Sequence, residues 1–97
     1  MSFLYELQQI IEQRKLHPID SSYTTSLFNA GEDEIAKKIG EEAVELILAV
    51  KGQGDERVVS ETADLLYHVI VLLAQCGLTL ESVSYTHLRA HETLRYL

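Results

Sequence analysis

The spacing of hydrophobic residues along this 97-residue chain predicts helices and no sheet. Apolar residues recur every three or four positions in segments 3 to about 14, 32 to about 51 and 56 to about 76, as on one face of an α-helix. A further helix is expected to begin at Thr79, where Thr-Leu-Glu-Ser resembles a helix start. The chain is therefore predicted to be all-α.

Short turn sequences separate the predicted helices. His17-Pro18 ends the first helix, and Gly52 and Gly54 lie between the second and third. Because that turn is tight, the second and third helices are predicted to form an antiparallel hairpin. The polar stretch 16–31 is predicted to be a loop in which Leu27-Phe28 anchors one helical turn at most. We expect a small bundle of four to five helices around the central hairpin.

The third predicted helix is apolar around most of its circumference and is therefore expected to be buried on most sides. Acidic residues interrupt this apolar surface. Glu61 and Asp64 lie one turn apart, and His68 follows one turn later within the same sector. We expect both carboxylates to face inward, near Glu42 and Glu45 of the second helix. His68 is expected to be a core histidine or a hydrogen-bond partner of Asp64 rather than a metal ligand. Four carboxylates so placed would repel one another unless a divalent cation held them.

Carboxylate oxygens select a hard cation, so the sequence predicts Mg²⁺, with Mn²⁺ as a substitute. Such an ion also attracts polyphosphates, which a chain of formal net charge −7 otherwise repels. The alternative is a solvated acidic face in which Glu41, Glu42 and Glu45 pair with Lys37 and Lys38. The second carboxylate pair, on a helix with little other polar surface, favours the metal site.

Charge and cysteine content limit the partners and the compartment. The acidic balance argues against nucleic acid and anionic membrane partners. A single cysteine excludes an internal disulfide and favours a reducing environment. The longest apolar run, 69–74, is far shorter than the roughly 20 residues that span a bilayer, and no secretory signal is recognised. We expect a soluble, cytoplasmic protein.

Basic and hydroxyl side chains near the hairpin are candidate substrate contacts. Lys38 lies one turn before Glu42, where it would bind a phosphate oxygen or pair with Glu42. Arg14 and Lys51 are further basic residues near these elements. The hydroxyl-rich segment Ser22-Tyr23-Thr24 would bind phosphate or ribose, although its composition alone also fits a plain loop.

Three motifs resemble one enzyme family. Glu41-Glu42-Ala-Val-Glu45, followed after 15 residues by Glu61-Thr-Ala-Asp64, resembles the EExxE and ExxD signature of the all-α, MazG-like nucleotide pyrophosphatase superfamily. Within that superfamily, the chain most resembles the phosphoribosyl-ATP pyrophosphatases. The residues that carry this resemblance are Ser22-Tyr23-Thr24, Lys37-Lys38-Ile-Gly-Glu-Glu-Ala and Ala63-Asp64-Leu-Leu-Tyr-His68. The resemblance covers about residues 3 to 83.

The resemblance implies Mg²⁺-dependent hydrolysis of phosphoribosyl-ATP to phosphoribosyl-AMP and pyrophosphate, the second step of histidine biosynthesis. It implies a homodimer in which the helices pack into a larger bundle, with sites close to the interface. The implied metal ligands are Glu42, Glu45, Glu61 and Asp64, with Glu41 assisting and one carboxylate of this catalytic group acting as general base. The implied substrate-binding residues are Arg14, Ser22, Tyr23, Thr24, Lys38, Lys51 and His68.

Two other functions remain open at this point. One is a MazG-like housecleaning enzyme that hydrolyses noncanonical or deoxynucleoside triphosphates with the same carboxylates; the segment Ser22-Tyr23-Thr24 disfavours it. The other is a catalytically silent helical interaction module, in which the acidic residues are surface charge. That module would show no Mg²⁺ dependence and would tolerate Glu61→Gln.

The resemblance divides the chain into a phosphoribosyl-ATP pyrophosphatase domain, residues 1–83, and an atypical tail, residues 84–97. The tail looks foreign to the family and resembles a translated cloning artefact, so His87 and His91 are given no native role. In some family members this domain follows a cyclohydrolase domain. The start of the chain, where Met1-Ser2 leads directly into the first helix, favours a free-standing protein.

Overall fold

A computed structural model describes the backbone of residues 2–93 and the side chains of residues 3–86. Within that part of the chain the protein has five helices and no strand. The helices are α1 (Ser2–Leu16), α2 (Tyr23–Ala30), α3 (Glu32–Val50), α4 (Asp55–Gln75) and α5 (Leu80–Thr93). The predicted all-α fold is confirmed.

The hairpin of α3 and α4 is the centre of the fold, because these two helices make its most extensive contact. The turn between them ends at Gly54, which has a φ of 88°, a backbone conformation that glycine adopts without strain. Acidic side chains occupy the first turn of each helix, where they stabilise the positive end of the helix dipole. The hairpin expected from the sequence is thus present.

Helix α2 lies inside the stretch that was predicted to be a loop, and that prediction is wrong. Ser22 caps the helix, since its Oγ accepts a hydrogen bond from the Thr25 backbone N–H at 3.2 Å. Leu27 is buried, Phe28 packs against the core, and Gly31 ends the helix with a φ of 98°. A cap and two apolar anchors therefore suffice for two helical turns in a sequence of polar composition.

The hydrophobic core lies where α1, α2, α3 and α4 meet. Its buried residues are Ile11, Leu27, Ile35, Ile70, Val71 and Ala74. Since four helices contribute to this one cluster, the hairpin is held in place by α1 and α2 as well as by its own packing.

Helix α5 begins as predicted after Thr79, whose Oγ1 accepts a hydrogen bond from the Ser82 N–H at 3.2 Å. The buried Gln8 side chain joins α1 to it, accepting from the Leu80 N–H at 2.6 Å and donating to Glu81 at 3.0 Å. The helix continues across position 83 without a break. The predictions for His87 and His91 fall outside the described side chains, and residues 94–97 lie outside the described backbone.

Exposed apolar side chains line both helices of the hairpin, so the prediction that α4 is buried on most sides is wrong for the single chain. These side chains, here called the hairpin apolar surface, belong to Val44, Ile47, Leu48, Val50, Val59 and Leu66. Helix α4 is also long and apolar enough to cross a membrane, but core helices of soluble proteins meet the same criterion. Helix α4 packs against three other helices, as a helix in a protein core does.

The first testable prediction concerns the cap of α2. Ser22→Ala removes the acceptor of the Thr25 N–H and should lower the free energy of unfolding by about 0.5–2 kcal/mol. Urea denaturation followed by circular dichroism measures this change. Ser21→Ala, an exposed change one residue earlier, is the control and should cost far less. Equal losses for the two variants would show that the cap does not stabilise α2.

Candidate active site

Three acidic side chains converge across the hairpin. Glu42 and Glu45 lie one turn apart on α3, and Glu61 faces them from α4. One carboxylate oxygen from each lies within 4.8 Å of the other two, a spacing that would let all three hold one metal ion. We call these three residues the carboxylate cluster. The structure thus brings together three of the four metal ligands that the resemblance implies.

Burial leaves two oxygens of the carboxylate cluster without partners. The Glu61 side chain is 3% exposed and Glu42 is half-buried, whereas Glu45 is exposed. Within the described residues, Oε2 of Glu42 and Oε2 of Glu61 are buried and accept no hydrogen bond. Because a buried carboxylate without a partner is costly, a cation is the expected counterpart. The residues present therefore fit a hard divalent ion.

Crowding raises the pKa of two of these carboxyls. The pKa of Glu61 is raised mainly by the neighbouring Glu45 carboxyl, to which a protonated Glu61 would donate a hydrogen bond, then by burial and by repulsion from Glu45 and Asp64, while Arg57 opposes the rise. Burial is the largest cause of the raised pKa of Glu42, followed by repulsion from Glu45. Both shifts indicate that the cluster lacks enough positive charge.

Asp64, the fourth implied ligand, lies beside the cluster rather than within it. Its side chain is exposed, so the expectation that it faces inward is wrong for the single chain. Its charge nevertheless raises the pKa of both Glu42 and Glu61, which places it within electrostatic reach of them. Asp64 is therefore positioned at the open edge of the carboxylate cluster.

Arg57 is a basic residue of the site that the sequence analysis missed. Its Nη2 donates to Oε1 of the buried Glu61 at 2.8 Å. Its Nε makes a longer contact of 3.5 Å with Oε1 of Gln53, in the turn before α4. The signal was present in the sequence, because Arg57 precedes Glu61 by one helical turn and such pairs share a face.

The segment Ser22-Tyr23-Thr24 docks on α4 next to the acidic residues. The Nδ1–H of His68 donates to the carbonyl of Asp64 at 2.7 Å, so in the neutral imidazole Nε2 accepts from the Tyr23 hydroxyl at 3.1 Å. Thr24 hydrogen-bonds to Tyr67, whose ring lies 5.0 Å from that of His68. His68 is buried and also lowers the pKa of Glu42. These contacts connect α2 to the part of α4 that follows Asp64.

The remaining predicted site residues are less directly involved. Lys38 pairs with Glu41 at 3.8 Å rather than with Glu42; Lys38 is half-buried and Glu41 is exposed. Arg14 donates to the His17 carbonyl at 3.2 Å. Lys51 follows the last residue of α3 and is exposed. Among the described side chains, no hydrogen bond or ion pair joins Lys38, Arg14 or Lys51 to the carboxylate cluster.

Comparison with known families decides the assignment. The family described as phosphoribosyl-ATP pyrophosphohydrolase matches residues 4–91. The chain belongs to the phosphoribosyl-ATP pyrophosphohydrolase family. The match covers the carboxylate cluster, Asp64 and the segment Ser22-Tyr23-Thr24. It also extends past the predicted domain boundary at residue 83.

Individual relatives of this family member agree with the assignment. It is 48% identical over 83 residues to phosphoribosyl-ATP pyrophosphatase of Lactiplantibacillus plantarum, covering 86% of this chain and 78% of the relative. It is 52% identical over 80 residues to the Metallosphaera sedula enzyme of the same name, covering 82% and 86%. It is also 48% identical over 73 residues to the histidine biosynthesis bifunctional protein of Oceanobacillus iheyensis, covering 75% of this chain and 34% of that protein.

A second prediction follows from the unpartnered oxygens of this pyrophosphohydrolase-family site. Glu42→Gln should stabilise the metal-free protein, because it removes one repelling charge, and should abolish stabilisation by Mg²⁺. At Mg²⁺ near 100 times its Kd, the wild type should gain about 2.7 kcal/mol in unfolding experiments. Glu56→Gln, an exposed change on α4, should respond like the wild type. Mg²⁺ stabilisation that persists in Glu42→Gln would contradict the metal site.

A third prediction concerns pH. Since folding raises the pKa of Glu42 and Glu61, these groups are most favourable to the fold below the ordinary glutamate pKa of about 4.3. Their contribution is lost as pH rises through the raised values, so the metal-free protein should lose stability from this source as pH rises above about 4.3. Urea midpoints at several pH values, compared with those of Glu42→Gln/Glu61→Gln, measure the effect. Identical pH profiles would contradict it.

Proposed function

We propose that the chain hydrolyses phosphoribosyl-ATP to phosphoribosyl-AMP and pyrophosphate, the second step of histidine biosynthesis, with Mg²⁺ as its metal. The proposal is supported by the family assignment and by relatives that carry the name phosphoribosyl-ATP pyrophosphatase. The observation that carries it is the carboxylate cluster, in which buried oxygens of Glu42 and Glu61 have no partner in the described chain.

Glu42, Glu45 and Glu61 would hold the metal, with Asp64 at the edge of the cluster. When bound, Mg²⁺ supplies positive charge that binds and polarises the phosphates of the substrate. A carboxylate of the cluster would accept the proton of the attacking water. Glu41, exposed and paired with Lys38, has an assisting role.

The substrate-binding wall is formed by Tyr23, Thr24 and His68. Tyr23 is 51% exposed, so its ring remains accessible while its hydroxyl is fixed by His68. Ser22 caps α2 and so holds the segment in place. Among the predicted basic contacts, Lys38 lies on α3 close to the cluster in sequence, and Arg14 and Lys51 are proposed as more distant contacts to the phosphates.

We also propose a homodimer. The hairpin apolar surface leaves six large apolar side chains in contact with water, including Val59, which is 69% exposed, and Ile47, which is 58% exposed. Exposed apolar surface of this kind is typical of protein–protein contacts. A second copy of the chain is the expected cover, consistent with the small core of a domain of this size.

The proposed location is the cytoplasm, and the proposed catalytic unit is residues 1–83.

A fourth prediction tests the activity itself. Purified protein with Mg²⁺ should release pyrophosphate from phosphoribosyl-ATP, and Asp64→Asn should lower kcat/KM by about 100-fold or more because negative charge at the cluster's edge is lost. Asp33→Asn, an exposed substitution of the same type in the first turn of α3, should leave the rate unchanged. A preference for a deoxynucleoside triphosphate would instead favour the housecleaning function, and no turnover of any nucleotide would favour the interaction module.

The fifth prediction tests the dimer. Ile47→Lys places a charge on the hairpin apolar surface and should convert the protein to monomers, because an ammonium group buried at an interface is unfavourable. Light scattering after size-exclusion chromatography measures the mass. Gln9→Lys, on the exposed side of α1, adds the same charge elsewhere and should leave the dimer intact. A monomeric wild type would contradict the proposal directly.

A further inference from the structure

Arg57 occupies an unusual position between the solvent and the buried part of the carboxylate cluster. Its own side chain is 54% exposed, whereas its partner Glu61 is 3% exposed. The ion pair therefore has one fixed member, held inside the hairpin, and one member that is free to change its conformation. Long exposed side chains change rotamer on the nanosecond timescale.

The pair with Arg57 leaves Glu61 only partly compensated. Nη2 of Arg57 contacts Oε1 of Glu61, while Oε2 of the same carboxylate stays buried without a partner in the described residues. Of the described carboxylates, the guanidinium group contacts only Glu61, so its single charge is set against three clustered glutamates and the nearby Asp64. Arg57 thus partly neutralises the site, and a divalent ion would neutralise it further.

Arg57 also has the right chemistry for a phosphate. A guanidinium presents several N–H donors in a planar fork, which matches two oxygens of a phosphate as well as it matches a carboxylate. On α3, Lys38 forms an ion pair with Glu41 instead. Because the chain has a net charge of −7, a cationic side chain beside the carboxylate cluster would help to attract a polyphosphate substrate.

We infer that Arg57 has two successive partners: Glu61 in the metal-free enzyme, and a phosphate oxygen of the substrate once a divalent cation occupies the carboxylate cluster. This inference rests on the proposed function. According to this inference, the positive charge of Arg57 partly compensates Glu61 before the metal ion binds. Metal binding then releases the guanidinium group, which can bind the phosphates of the substrate. Arg57 is then a substrate-contacting residue that also competes with the metal.

A purely structural role for Arg57 predicts the opposite effect on metal affinity. If Arg57 only orients Glu61 as a ligand, its removal should weaken Mg²⁺ binding, because the ligand loses its support. If Arg57 competes with the metal, its removal should strengthen Mg²⁺ binding, since a repelling positive charge disappears. The sign of the change therefore separates the two roles.

The experiment compares wild type, Arg57→Gln, Arg57→Lys and, as a control for charge loss, Lys37→Gln on the exposed side of α3. Calorimetry with Mg²⁺ alone gives the metal affinity, and titration of the Mg²⁺-saturated proteins with pyrophosphate gives the phosphate affinity. Arg57→Gln should bind Mg²⁺ about three- to tenfold more tightly. It should bind pyrophosphate about ten- to a hundredfold more weakly, since a charge-assisted hydrogen bond is lost.

Arg57→Lys keeps the positive charge but lacks the planar fork of N–H donors. Its Mg²⁺ affinity should therefore match that of the wild type, and its pyrophosphate affinity should lie between those of the wild type and Arg57→Gln. Lys37→Gln should match the wild type in both titrations. Unchanged or weaker Mg²⁺ binding by Arg57→Gln, or unchanged pyrophosphate binding, would overturn the inference. Failure of the wild type to hydrolyse phosphoribosyl-ATP would instead contradict the proposed function, because these titrations do not depend on turnover.

Discussion

Electrostatic repulsion among the carboxylates of the hairpin is the constraint on which the site depends. Helices α3 and α4 hold Glu42, Glu45 and Glu61 within one ion's reach, although the like charges disfavour this arrangement. The packing that opposes the repulsion comes from apolar residues of four helices. The fold therefore holds carboxylates that repel one another, and a bound divalent cation would relieve this repulsion.

The other features of the site are organised around that repulsion. Arg57 pairs with the most buried carboxylate, and Asp64 adds negative charge from the exposed edge. Helix α2 covers the adjoining part of α4 through hydrogen bonds from Tyr23 to His68 and between Thr24 and Tyr67. The carboxylate cluster and the hydroxyl groups of Tyr23 and Thr24 thus lie at neighbouring parts of α4, an arrangement that fits the proposed hydrolysis.

Much of this arrangement was predictable from the sequence, because it depends on local periodicity. The spacing of Glu42, Glu45 and Glu61 on two helices joined by Gly52 and Gly54 is enough to predict that they meet across a hairpin. Helix α2 was missed because it is short and lies in a stretch rich in hydroxyl-bearing and turn-forming residues, and the burial of Leu27 depends on contacts that no local pattern reports. Tertiary packing decided that segment, not propensity.

Other details depend on side-chain choices that periodicity does not determine. Lys38 was expected near Glu42 but pairs with Glu41, since neighbouring helical positions offer nearly equivalent partners. The apolar circumference of α4 predicted burial on most sides, yet Val59 and Leu66 are exposed in the single chain. That difference is what a helix shared with a second subunit would show.

The central claim is that the hairpin holds a divalent cation between its carboxylates. Crystals grown with Mn²⁺ in place of Mg²⁺ test it most directly, because anomalous scattering locates the ion without reference to activity. The account predicts an anomalous peak between Glu42, Glu45 and Glu61, about 2.0–2.4 Å from their oxygens. The absence of a peak there at saturating Mn²⁺, or a peak held by other residues, would contradict it.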